Sequence, residues 1–442
     1  DHLLAAYRLG FLTGDTEIQE KITEKDPLFF AGMHLMKNAA NLALELMDFG
    51  LFAMAKDVLL QANDGAMKFY YLAYVENALG NVTAAKQYIA QADGADWACE
   101  FPCRTESIAV LEAAGTAMAN YYIGCILYNL DRFEDAVSAW EKTVAKLEFA
   151  PAYRNLALGY FDHLNRKADA RNCLEKAHKL LPDSDRIFYE LTQLYRSLNL
   201  PLAERIGLYE QNPTLTAKRD DCTLAYSVLC TVAGQLEKAK EILLAHRFHT
   251  YEGGEGNLTQ HHAWLYFLLA QELLKQGDAE GAKQSLLAGL VFPENYGEEK
   301  NYFVNDAPIY LSLYGLEQQE EYLYLANATK GAPTVHSYYQ CIALRKLGRE
   351  QDAANLAAQM KEIGNRKIQN AAVNDYYGVG SPAYPPFGYD IVKAHTTDGM
   401  ILCAFAALAE GDKATAEAWM EKLEEADSCH FFLYLLRREL QL

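Results

Sequence analysis

YYIGCILYNLDRFEDAVSAWEKTV, Tyr121 to Val144, decides the fold. Asp131 sits at its centre, with Gly124 seven residues before it, Ala136 five after it and Trp140 four beyond that. Two helices that approach closely need small residues where their backbones face each other. The residue between them must reach the left-handed region, which Gly, Asn and Asp do most readily. The stretch therefore predicts a tight helical hairpin that turns at Asp131.

The same spacing recurs along the chain. Turn residue, alanine and bulky residue fall at Gly50/Ala55/Leu59, Gly80/Ala85/Ile89, Asn165/Ala170/Leu174, Gly234/Ala239/Leu243, Gly277/Ala282/Leu286 and Gly411/Ala416/Met420. Gly348/Ala353 follows with Ala357 in the bulky slot. Seven positions before the turns stand Ala43, Ala73, Gly124, Leu158, Ser227, Ala270, Cys341 and Ala404, all small except Leu158. With the key alanines Ala136 and Ala170 34 apart and Pro182 in the closing position, the pattern resembles the tetratricopeptide repeat. An all-α, right-handed superhelical array of about ten hairpins is expected.

Deviating intervals locate the insertions. Ala170 to Ala239 is 69 and Ala282 to Ala353 is 71, each fitting two units, the first with a degenerate one near Ala203. Ala85 to Ala136 is 51 and Ala239 to Ala282 is 43, which places insertions at 93–115 and 247–260. NDYYGVGSPAYPPFGYD (374–390) reads as a third ordered loop, within 371–395. The expected division is repeats 1–246, a glycine-rich loop 247–260, and repeats 261–442.

Bulk properties narrow the function. The 442 residues are 51% apolar, enough for a continuous core, and 59 acidic against 40 basic residues give −19, which disfavours a phosphate backbone as partner. The nine cysteines are odd in number and scattered through apolar runs, as expected for buried thiols in a reducing, cytoplasmic setting. Cys99 and Cys103 alone are close, and with no second ligand pair a zinc site is not expected; neither are a cofactor and a membrane segment. The chain opens at Asp1 in mid-pattern, as a piece of a longer protein would.

FPCR (101–104), YRNLALGY (153–160), ELTQLYRSL (190–198), KRDD (218–221), FHTYEGGEG (248–256), FPEN (292–295) and ALRKLGRE (343–350) resemble, in this order, the repeat half of a bacterial family. That family joins a β-sandwich, domain of unknown function 5107, similar to galactose mutarotases, to a long tetratricopeptide region. Its glycine-rich motif usually has tryptophan where this chain has Tyr251. The resemblance implies an association with carbohydrate metabolism and an adjoining sugar-related domain as partner.

The glycine-rich stretch FHTYEGGEGNL (248–258) carries Tyr251, Glu252 and Glu255. Its two carboxylates could act as acid and base on a glycoside, ligate a cation, or cap the helix starting near Leu258. A structural loop is favoured, with a glutamate held by backbone amides or by Arg104, Arg154 or Arg247; no Lys-Ser or Lys-Thr follows to make a phosphate loop. Arg104 is expected in a salt bridge that fixes its insertion, and Asp220 and Asp221 as caps of the following helix. His261 and His262 are adjacent, so on a helix they diverge and cannot share an ion. The Tyr70/Tyr74 and Tyr121/Cys125/Tyr128 stripes have core spacing, yet Tyr70, Tyr74, Asn77, Tyr121, Tyr128, Asn155 and Asp162 fall on the repeat positions that line a concave face. Tyrosine and asparagine offer flat apolar area with a polar tip, suited to a protein, a peptide or a sugar ring. The function expected is that of a binding scaffold, with a carbohydrate-active enzyme using Glu252 and Glu255 as the alternative.

Overall fold

The computed structural model describes residue 17 and residues 36–98, 100–250, 254–300, 304–329, 331–372, 386–387 and 390–441. Within them every regular element is helical and no strand forms. The chain divides into two compact units, Asp1–Leu180 and Leu181–Leu442, and not at the glycine-rich loop.

The described residues of the first unit form four hairpins. They pair Met36–Asp48 with Phe52–Leu60, Ala66–Ala78 with Val82–Gly94, Ala117–Asn129 with Phe133–Val144, and Ala150–Leu158 with Lys167–Leu180. The insertion near 93–115 is a loop followed by a short extra helix, Ser107–Ala114. The described residues of the second unit form six: Asp185–Ser197 with Leu202–Gln211, Asp220–Val232 with Leu236–Ala245, Asn257–Lys275 with Ala279–Ala288, Ala307–Glu317 with Glu321–Ala326, His336–Lys346 with Glu350–Gln369, and Ile391–Glu410 with Lys413–Ala426. A solitary helix, Phe431–Leu440, ends it.

Each turn obeys the physics that predicted it. Gly50, Gly80, Asp131, Asn165, Gly234, Gly277, Gly348 and Gly411 all have positive φ, and so does Asn199 in the degenerate unit. The next N–H returns to the carbonyl five residues back, as in Arg132 to Leu127 at 2.9 Å, and satisfies a helix-end carbonyl. The key alanines Ala55, Ala136, Ala170, Ala239, Ala282, Ala353 and Ala416 are fully buried. The degenerate unit expected near Ala203 is the hairpin of Asp185–Ser197 and Leu202–Gln211; its alanine is exposed, and Ile206 fills the core instead.

Leu158, the one large residue in the small slot, has a local cause. Gly159–His163 forms a π turn, and Arg166 N–H reaches back six residues to Tyr160, 2.8 Å away. The turn inserts one residue into the helix. The small residue one position earlier, Ala157, is therefore the fully buried one.

Among the described residues one helix has the length and apolarity of a membrane span, and it is a core helix of this fold. Ile391–Glu410 has 20 residues of sufficient apolarity. In this fold Ile401, Cys403, Phe405 and Ala407 are buried inside the second unit. It meets Glu350–Gln369 at Gly364 and Gly399, where a Cβ on either would come within 2.8 Å of the other's carbonyl.

Candidate functional site

Two of the sequence stretches singled out above, KRDD and FPEN, converge on the glycine-rich loop. Asp220, in the first turn of Asp220–Val232, uses its side chain on the loop and not as a cap: its carboxylate lies 2.6 Å from His246 Nε2 and accepts the His249 N–H at 2.8 Å. Burial pushes the Asp220 carboxyl up, but the bonds from His246 and His249 outweigh it and leave it below the usual range. Asp221 turns the other way, to Arg219 at 2.7 Å.

Asn295 of FPEN grips the loop from the far side. Its amide donates to the carbonyls of Leu243 and His246 at 3.0 and 2.6 Å, and its own carbonyl accepts Phe248 N–H at 2.8 Å. Phe248 is buried edge-on against Tyr296. Gly297, at φ +67°, leaves room for this contact, since a Cβ there would lie 3.0 Å from the Phe248 carbonyl. Tyr296 hydroxyl meets His262 Nδ1 at 2.9 Å, so His262 Nε2–H donates to the Ala288 carbonyl at 3.1 Å. His261 points elsewhere, to Ser227 at 3.2 Å, as the divergence of adjacent helical residues requires.

Gly256, left-handed at φ +78°, starts the helix Asn257–Lys275 and donates to Glu298 at 3.2 Å. Glu255 is exposed, while Tyr251 and Glu252 lie outside the described residues. The space enclosed by Asp220, Phe248, His249, Glu255, Tyr296 and Glu298 is about 20 Å³, room for one water. Among the described residues these contacts form a clamp on the loop. Of the arginines expected as partners, Arg104 reaches Asn41 and Glu106, and Arg154 reaches Asn155. Asp220 and Asn295 were missed as loop anchors; His246 and His249, three apart and facing a pair of aspartates, were the available signal.

The concave-face tyrosines separate into two groups. Tyr70, expected on the concave face, is a core residue: it is 0% exposed, and its hydroxyl is bonded to Asp93 at 2.5 Å and Thr116 at 3.3 Å from neighbouring elements. Tyr74, Tyr121, Tyr128 and Asn155 are half-buried, and Asn77 and Asp162 are exposed. Tyr128 bonds His163 at 3.0 Å, Tyr121 packs edge-on to Phe149, and Asn155 reaches the Cys125 sulfur at 3.8 Å.

FPCR borders a cavity of about 430 Å³ in the first unit, lined by Met36, Met67, Tyr71, Glu100, Phe101 and Arg104. Arg104 pairs with Glu106 at 3.1 Å, the local salt bridge expected of it. Glu100 caps the helix Ala66–Ala78 through the N–H groups of Ala66 and Met67; burial nevertheless raises its carboxyl. Phe101 is 82% exposed at the rim, and Cys103 is exposed as well, unlike the buried thiols expected.

In the second unit a cleft of about 290 Å³ lies between Asp185–Ser197 and the start of the last helix. Arg205, buried, holds Asp427 at 3.0 Å, with Arg196 at 3.6 Å. Burial raises the Asp427 carboxyl, and the two guanidiniums overcome it, so that it stays ionised and low. Burial pushes His430 down, and its Nδ1 accepts Phe432 N–H at 3.2 Å.

These hairpins define the class of tetratricopeptide-like helical repeats. No protein-family model matches the sequence. Among solved structures, PilF of Pseudomonas aeruginosa is similar at 18% identity, TM-score 0.26, over 49% of this chain and 91% of that one. The tetratricopeptide domain of P58(IPK) is similar at 14% identity, TM-score 0.24, over 92% and 98%. A human IFIT1 dimer with m7Gppp-AAAA is similar at 12% identity, TM-score 0.29, over 88% and 89%.

Proposed function

We propose that the chain is a non-catalytic binding scaffold: the repeat portion of a larger cytoplasmic bacterial protein of the kind that carries a galactose-mutarotase-like sandwich. The observation that carries this is the half-exposure of Tyr74, Tyr121 and Tyr128, with Asn77 and Asn155, on first helices of successive hairpins in the first unit. Aromatic faces with hydroxyl tips bind a peptide or a sugar ring with little loss of side-chain freedom. The rim of the FPCR cavity, with exposed Phe101 beside Arg104, offers the adjoining domain an anchor and a charge.

The test is calorimetric titration of the separately produced sandwich domain, and of peptides from co-purifying proteins, into the wild-type chain and into Tyr74→Ala, Tyr128→Ala and Phe101→Ala. An affinity loss of about tenfold or more in at least one variant that stays folded at the titration temperature is expected. Wild-type affinity in all three would refute the assignment of these surfaces.

A further inference from the structure

We propose that the insertion after the second hairpin carries a receptor for an arginine side chain of a partner protein, formed by Asp93, Asp96, Trp97 and Glu100 around the hydroxyl of Tyr122. Tyr122 stands on Ala117–Asn129, the first helix of the third hairpin, and is 0% exposed. Its hydroxyl is buried and has no hydrogen-bond partner. An orphan of this kind in a native fold marks the place of a missing ligand or water.

The carboxylates around that hydroxyl lack a counter-charge. Burial pushes the Tyr122 hydroxyl up, and the negative charges of Glu100, Asp96 and Asp93 push it further, so all three act on one oxygen. Among the described residues no lysine, arginine or histidine pairs with any of them. Lys68 and Arg104, on the elements that flank Glu100, hold Asp64 and Glu106 instead, at 2.9 and 3.1 Å. Like charges gathered without a partner repel one another, and a bound cation removes that repulsion.

The receptor is held from behind and open in front. Asp93 accepts the hydroxyls of Tyr70 and Thr116 at 2.5 and 2.7 Å. Glu100 accepts the N–H groups of Ala66 and Met67 over Gly65, where a Cβ would come within 2.1 Å of its carboxylate oxygen. Asp96 accepts the Ala98 N–H at 2.9 Å and stays exposed. Trp97 rests edge-to-face on Phe149, centroids 5.4 Å apart, and remains 37% exposed. The exposed turn of Asp96 and Trp97 is the entrance through which a side chain reaches the hydroxyl.

Chemistry selects the cation. Among the described residues no three histidine, cysteine or carboxylate side chains are close enough to hold a metal ion. A guanidinium fits acceptors spaced more widely, because it carries five N–H donors in one plane and its face stacks on an indole. The net charge of −19 draws a basic segment towards the chain. This receptor is separate from the surfaces proposed above and does not depend on them.

The experiment titrates a labelled peptide of three Arg-Gly-Gly repeats, at about 150 mM salt, into the whole chain as wild type, Asp96→Asn, Trp97→Ala and Tyr122→Phe. Glu134→Gln, which removes an exposed charge from Phe133–Val144, is the control. Expected are saturable binding by wild type and control, and about tenfold weaker binding by the other three. Tyr122→Phe should melt at or above the wild-type temperature, since it loses only an unpaired hydroxyl. Equal binding by all the proteins, an equal loss in the control, or a lysine version of the peptide that binds as well overturns the proposal. So does a lower melting temperature of Tyr122→Phe, which would show the hydroxyl bonded to ordered water.

Discussion

The hydroxyl of Ser227 donates a 3.0 Å hydrogen bond to the carbonyl of Ala239, across the gap between the two helices of one hairpin. Cys341 and Ala353 repeat the relation, sulfur to carbonyl, at 3.4 Å. These are the small residues seven before and five after the turn, so side chain meets backbone directly where the helices are closest. Ser227 Oγ has spent its proton on Ala239, so it accepts from His261 Nε2–H.

Ser227→Ala is accordingly expected to cost about 1–3 kcal/mol, because it leaves His261 without its acceptor in a buried site. Ser227→Leu is expected to cost more, by forcing the helices apart. Urea unfolding of both gives the answer. Equal stability of Ser227→Leu and wild type would mean that close approach is not what the small residue supplies.

The hairpins were legible because their determinants are local: a left-handed residue at Asp131 or Gly348 and a small residue at Ala136 or Ala353 act within a dozen positions. Even the exception at Leu158 is explained by a one-residue π turn next to it. The loop clamp was not legible, because Asp220, His246 and Asn295 meet only after two hairpins have formed, and no local spacing announces a contact across 49 residues. The contact of Asn199 with Ser428, just before Phe431–Leu440, was hidden for the same reason, since the two are 229 residues apart. Tyr70 and Tyr74 share a helix and one repeat position away from each other fall inside and outside, a difference set by Asp93 and Thr116 from other elements.

Tyr70 and Tyr74 should therefore respond oppositely to truncation. Tyr70→Ala removes a wholly buried ring and is expected to cost about 3–5 kcal/mol, while Tyr74→Ala, half-buried, should cost under about 1.5 kcal/mol. Thermal melts of the two variants distinguish them. A larger loss for Tyr74 would return Tyr70 to the surface and Tyr74 to the core.

Acid should weaken the second unit through its buried histidines. Burial pushes His261 and His336 down to about 3, with His262 and His430 moved the same way. The unfolded chain protonates His261 and His336 near pH 6.5 and the native protein does not until about 3, so their stability contribution is full above the unfolded value and declines as pH falls between the two. Each such histidine contributes a slope of about 1.4 kcal/mol per pH unit. His336, stacked on Trp264 at 4.6 Å, is the cleanest to replace. Urea midpoints at pH 7, 6 and 5 should fall less steeply for His336→Phe than for wild type, and parallel curves would show that His336 is protonated in the native state.

Asp220 has the reverse sign. Its carboxyl is held below the unfolded value by His246 and His249 in spite of burial, so its contribution is present above about pH 3.9 and disappears as pH falls through the lower native value. Asp220→Asn keeps the shape and removes the charge, and should cost about 1–3 kcal/mol near neutrality, as the loss of charged hydrogen bonds does. The damage should be local: amide exchange at Phe248 and His249 should quicken well before that of Leu265 or Leu268 in the next helix. Loss of stability in Glu255→Gln with none in Asp220→Asn would transfer the anchor of the loop from the aspartate of the preceding hairpin to the glutamate of the loop itself.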